Sequence, residues 1–92
     1  MMVVVSYDVT QDESRSRLAK LVLDYGKRVQ KSVYECHIDD GELVELQERV
    51  AQIIDMSRDS VRYYTICKKC YFAIEMQGLG SITEDDDDTL VI

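Results

Sequence analysis

The chain has 92 residues, 46% of them hydrophobic and 32% charged, the composition of one soluble domain whose modest core leaves a partner to be expected. No apolar run approaches the roughly 20 residues that span a bilayer, and the first apolar run has neither a basic segment before it nor a small-residue cleavage site after it, so neither a membrane nor a secretory role is read and the cytoplasm is expected. The net charge of −7 does not exclude a polyanionic ligand, because residues 84–88 (EDDDD) leave only −2 on the remainder, while Arg15, Arg17, Lys20, Lys27, Arg28 and Lys31 against Asp24 give residues 15–31 a local +5.

The first element is MVVVSYD, whose alternation predicts a strand with Val3, Val5 and Tyr7 on one face and Met2, Val4, Ser6 and Asp8 on the other. Thr10 with Glu13 has capping-box spacing, and Leu18, Leu21, Val22 and Tyr25 then recur at helical spacing, with Gly26 placed to end that helix in a positive-φ conformation. The run from Lys27 reads as a short strand near 27–30 and a longer one near 32–38, or one strand with a bulge at Gln30-Lys31-Ser32. Asp39 and Glu42 repeat the capping-box spacing ahead of a second helix, about 41–55, with Leu43, Leu46, Val50 and Ile54 as its apolar stripe. After a loop at MSRDS, strands are predicted at 61–67 and 71–76, paired as a hairpin across CKKC. The order β-α-β-β-α-β implies an α+β sandwich, with the helices on one face of an antiparallel sheet. Residues 1–78 form that domain; residues 79–92 form an acidic linker and a C-terminal edge strand, Leu90-Val91-Ile92, expected to pack on the partner of a symmetric homodimer that covers the open sheet face.

Several residues carry candidate chemistry. The CxxC of Cys67 and Cys70, with Cys36 and His37, offers three thiols and an imidazole, formally a zinc set. No second CxxC or His pair stands at finger spacing, and a redox motif belongs at a helix N-terminus whereas this one is expected between strands, so reduced thiols are read. His37, the single histidine, lacks a convincing nucleophilic partner. The EDDDD run reads as a solvated linker. Asp8 alone is a strand-end turn former; near a two-fold axis, two Asp8 side chains could share one hard, oxygen-preferring cation that orients a water and polarises a phosphodiester.

SYDV at 6–9, RSR at 15–17, YGKRVQKSVYEC at 25–36 and DSVRYYTIC at 59–67 together resemble the small CRISPR-associated endonuclease family "Cas two", over nearly all of the chain to about residue 76. The resemblance implies a ferredoxin-like homodimer in CRISPR adaptation that bridges dimers of the integrase "Cas one" and supports captured double-stranded DNA, with Mg²⁺-dependent endonuclease activity on RNA or DNA. It implies Asp8 as the metal-binding and catalytic residue, one Mg²⁺ being shared by the two Asp8 of a dimer, with Tyr7 beside it. Arg15, Arg17 and Arg28 match basic nucleic-acid positions, and Tyr34 stands where the family usually has Phe. Two functions from different classes follow: a metal-dependent phosphodiesterase, and a non-catalytic adaptor that holds duplex DNA while the integrase supplies the chemistry. A toxin-like ribonuclease of similar fold is the third.

Overall fold

The computed structural model describes residues 1–78. Alternation in strand β1 (Met2–Asp8) does what the sequence predicts: Val3 and Val5 are fully buried, and Tyr7 nearly so, on the face that meets the helices. Helix α1 (Asp12–Leu23) lays Leu18, Leu21 and Val22 on that face. Strands β2 (Lys27–Gln30) and β3 (Val33–His37) follow as a hairpin through residues 31–32, so of the two expectations the pair of strands holds and the single bulged strand does not; a register shift does occur, but between Arg28 and Gln30 rather than at Gln30-Lys31-Ser32. Helix α2 (Asp40–Ala51) adds Leu46 and Val50 to the core, and strand β4 (Ser60–Ile66) pairs with the far edge of β1. The sheet order β2-β3-β1-β4 is antiparallel throughout, which is the ferredoxin-like arrangement of a βαββαβ chain.

The register fixes which residues share each face. Val3 lies opposite Cys36 and Val5 opposite Tyr34 on the helix side, where all four are wholly buried. The other face carries Val4, Ser6, Val33, Glu35, His37, Arg62, Tyr64 and Ile66, partly or fully open to solvent in the single chain. Tyr71 covers one corner, its ring edge-on to His37 at 5.7 Å between centroids.

Several expectations are corrected by physical detail. Thr10 caps nothing: Gln11 occupies the N-cap of α1 without a side-chain capping bond to a backbone N–H, and Arg15 Nη1 instead binds the carbonyls of Val9 and Thr10 at 3.1 and 3.5 Å. The Asp39–Glu42 box does form, Glu42 N–H donating to Asp39 at 2.7 Å and Asp39 N–H to Glu42 at 3.0 Å. Helix α1 ends at a C-cap Asp24, and Gly26 does not have positive φ. Glycine is required at 26 by close approach, since a Cβ there would overlap Cys36 Sγ and the Glu35 carbonyl oxygen. Tyr25, expected in the α1 stripe, lies past the helix and joins it to α2: its hydroxyl donates to Glu45 at 2.6 Å and accepts from Arg49 at 2.9 Å. Helix α2 stops at Ala51, short of residue 55, and Ile54 packs against the core from the following turn.

The largest difference is at 67–76. No strand forms over 71–76 and no hairpin pairs it with β4; a five-residue helix, α3 (Lys68–Phe72), stands there instead. Cys67 is its N-cap, the sulfur accepting the Cys70 N–H at 3.4 Å, so the CxxC opens a helix rather than linking two strands. A two-residue hairpin turn needs Gly, Asn or Asp for positive φ, and Lys68-Lys69 supplies neither. The acidic run and the expected C-terminal strand lie outside the described residues.

Candidate nucleic-acid and metal site

A cavity of about 690 Å³ lies at the C-terminal end of β1, between the first turns of α1 and the β2–β3 turn. Because Tyr7 and Asp8 are consecutive on a strand, one points toward the core and the other away, yet both border the cavity, where the strand runs out. The Tyr7 N–H donates to the Ser32 carbonyl at 3.1 Å, which folds the β2–β3 turn against the strand end and brings Lys31 and Ser32 to the cavity wall. Arg15 reaches it from the first turn of α1 and Arg28 from the edge strand.

The cations are held in different ways. Arg15 pairs with Asp12, so these two charges offset each other at the cavity wall, and its guanidinium is also tied to the Val9 and Thr10 carbonyls. Arg28 donates through Nε and Nη2 to the Lys31 carbonyl at 3.3 and 3.0 Å, so its guanidinium is oriented before any ligand arrives. Asp8 is exposed, and no ion pair engages its carboxylate among the described residues. The cavity therefore places Arg28 and Lys31, together with the Arg15–Asp12 pair, around one uncommitted carboxylate.

Tyr7 stacks on Tyr34 with ring centroids 5.9 Å apart, and their hydroxyls lie 3.2 Å apart. Burial pushes the Tyr7 hydroxyl up to about 12, against the pull of Arg28 and Arg15, so it stays protonated and is a hydrogen-bond donor rather than a base or nucleophile. Tyr34 is corrected as a nucleic-acid contact. Its relative exposure is 0%, and its ring is enclosed by the core, so any influence it has on a ligand passes through Tyr7. Arg17 is exposed on α1 but does not line the cavity, because two helical positions on from Arg15 the side chain has turned to another face. Lys31 and Ser32 do line it; only the basic charge count near them hinted at this, since their approach depends on how the turn folds back.

For a hard cation the donor chemistry of Asp8 fits and the donor number does not: the cavity offers a single free carboxylate, and no group of three His, Cys, Asp or Glu side chains able to hold a metal exists among the described residues. The thiols do not make up a site either. Cys36 is fully buried and its thiol is pushed up to about 11 by that burial, whereas Cys67 and Cys70 are exposed on α3. The Cys70 N–H holds the Cys67 thiol below its ordinary range, and the contact with Cys67 raises that of Cys70. His37 pairs in register with Met2 at the opposite end of β1, roughly 20 Å from Asp8 at ~3.3 Å per residue, too far for a shared catalytic step. No helix among the described residues is long and apolar enough to cross a membrane.

Comparison with known proteins gives matches along most of the chain. The "CRISPR-associated endonuclease Cas2 2" of Thermus thermophilus is 36% identical over 80 residues, covering 87% of this chain and 84% of that protein. The crystal structure of Streptococcus pyogenes Cas2 at pH 6.5 superposes with a TM-score of 0.74 at 41% identity, covering 85% of this chain and 100% of that one. A chain of a solved "Partial Cas6-RT-Cas1--Cas2 complex" matches with a TM-score of 0.71 at 28% identity over 82% of this chain and 88% of its own. The family model described as CRISPR associated protein Cas2 matches residues 1–74, and the chain belongs to that family.

Proposed function

We propose that the chain serves CRISPR adaptation as a homodimer that holds double-stranded DNA by its phosphate backbone and bridges dimers of the integrase, with Mg²⁺-dependent endonuclease activity available at the strand ends. The observation that carries this reading is the set of Arg15, Arg28 and Lys31 around a cavity whose uncommitted acid is Asp8. Such contacts read phosphate rather than base, so they bind without sequence preference and admit single-stranded RNA as well as duplex DNA. The integrase as partner is supported by the Cas2-like chain of the Cas1–Cas2 complex noted above.

Homodimerisation would supply what one chain lacks. A second chain on the open sheet face covers Val4, Val33, Tyr64 and Ile66, and a two-fold axis near the end of β1 turns one Asp8 carboxylate into two. When bound between them, Mg²⁺ supplies charge neutralisation and an oriented water for phosphodiester cleavage. Arg28, preset by the Lys31 carbonyl, holds the phosphate in place, while Arg15 adds positive charge from the helix. Tyr7 offers a neutral donor to a phosphate oxygen. A second reading, an adaptor with no chemistry of its own, is favoured by the shortage of acids in the described cavity, where the one uncommitted carboxylate, Asp8, would have to serve both as metal ligand and as base.

Purified protein tested with labelled duplex and single-stranded RNA separates the readings. Cleavage in Mg²⁺, abolished by chelation and lowered about a hundredfold or more by Asp8→Ala with duplex affinity kept, supports the enzyme. Equal cleavage by the wild type and Asp8→Ala removes the catalytic assignment. Arg15→Ala with Arg28→Ala should weaken duplex binding and reduce the slope of log affinity against log salt by about 2. Unchanged affinity in that variant would move the nucleic acid to another surface.

A further inference from the structure

Tyr34 presents a chemical problem that its burial makes acute. Its ring belongs in the core, opposite Val5 and against Tyr7, but it carries a hydroxyl where an apolar ring would fill the space. A buried donor left without an acceptor costs about 1–3 kcal/mol. At 0% exposure, the Tyr34 hydroxyl has one hydrogen-bonding neighbour among the described residues, the Tyr7 hydroxyl at 3.2 Å.

Two hydroxyls in contact place one proton between them and leave one over. If Tyr7 donates, the leftover proton belongs to Tyr34 and points into the core. If Tyr34 donates, it belongs to Tyr7, whose side chain borders the cavity. Only the second arrangement gives both protons an acceptor. We propose that Tyr34 is a positioning residue: it donates to the Tyr7 hydroxyl oxygen and thereby commits the Tyr7 proton to the cavity, as a donor to a phosphate oxygen of bound nucleic acid. This rests on the reading of the cavity as a phosphate site, where Arg28 and Lys31 supply the charge and Tyr7 a directional neutral contact. Hydroxyls in series also polarise one another, so the outer donor is strengthened by the inner one.

The test is a double-mutant cycle on affinity for a labelled DNA duplex, using Tyr34→Phe, Tyr7→Phe and the pair, with melting curves to check folding. Tyr34→Phe should weaken binding about two- to fivefold, Tyr7→Phe at least as much, and Tyr34→Phe should cost nothing further once Tyr7 is Phe. An equal loss in both backgrounds, or none in either, overturns the relay. A second measurement needs no ligand: by NMR with tyrosine-selective labelling, the Tyr34 hydroxyl proton should exchange slowly and the Tyr7 proton fast, and the reverse order overturns the assignment. If that order holds while Arg15→Ala with Arg28→Ala leaves duplex affinity unchanged, the hydroxyl direction stands, and the phosphate it was assigned to receive is overturned.

Discussion

Gly26 and Tyr34 show how a residue's type can be right for a reason the sequence does not display. Gly26 follows the last helical residues of α1, where a positive φ is the usual demand, but its backbone is ordinary and the demand comes from β3, where Cys36, ten residues further along the chain, presses against it. No local pattern encodes that contact. Burial has a measurable signature at the same scale. Cys36 is raised to about 11 from 9.0, and Tyr7 and Tyr63 to about 12 from 10.0, each through desolvation first. A group whose folded pKa is raised holds its proton more tightly in the folded state, so its contribution to stability is complete below the unfolded pKa and is lost as pH rises through the folded one. The melting temperature should therefore hold steady up to about pH 9, fall first as Cys36 begins to matter, and fall more steeply above about pH 10, with tyrosinate absorbance rising in step with unfolding. A melting temperature unchanged between pH 8.5 and pH 11 would contradict the burial of these groups.

Two identical spacings with two outcomes set the limit at the scale of the element. Thr10/Glu13 and Asp39/Glu42 both read as capping boxes, yet only the second forms. At α1 the chain enters one residue later, with Gln11 at the N-cap, and Arg15 reaches back to hold the loop carbonyls that a capped turn would otherwise position. Helix periodicity and strand alternation place β1, α1, β3, α2 and β4, because each presents a face to a common core, whereas β2 is exposed along its whole length and is legible only from its β-forming residues. The same alternation misled at 71–76, where Phe72, Ile74 and Met76 read as one face of a strand but no turn chemistry joins that segment to β4, and the Cys67 cap starts a helix instead. Asp39→Ala should accordingly destabilise the protein by about 1 kcal/mol, whereas Thr10→Ala should change its stability by less than about 0.5 kcal/mol, both read from urea unfolding midpoints at constant m-value. Equal losses would mean that the α1 entry depends on Thr10 after all.

For the molecule as a whole, the strand-end YD and the basic stretch from Arg15 to Lys31 were legible as candidate site residues, and the fold brings Tyr7, Asp8, Arg15 and Arg28 to one cavity while leaving Arg17 outside it. What the sequence left to the fold is the approach of Lys31 and Ser32, which depends on the β2–β3 turn folding back onto the end of β1. A lone carboxylate is a weak magnesium ligand, and the proposed chemistry depends on a second copy bringing a second Asp8. That dependence has a quantitative consequence that distinguishes a shared ion from two independent sites. Suppose wild-type chains are mixed with Asp8→Ala chains and allowed to re-pair at fixed total concentration. If each chain cuts by itself, Mg²⁺-dependent activity falls in proportion to the wild-type fraction. If the two carboxylates act together, only wild-type homodimers are active, and activity falls as the square of that fraction, so an equal mixture retains about one quarter rather than one half. Tyr64→Asp, placed on the exposed sheet face at 47% relative exposure, should shift the protein toward monomer in sedimentation and lose cleavage without touching the cavity. A linear mixing curve together with an active monomeric Tyr64→Asp variant would show that one chain assembles the whole site, and the shared-ion proposal would then be abandoned.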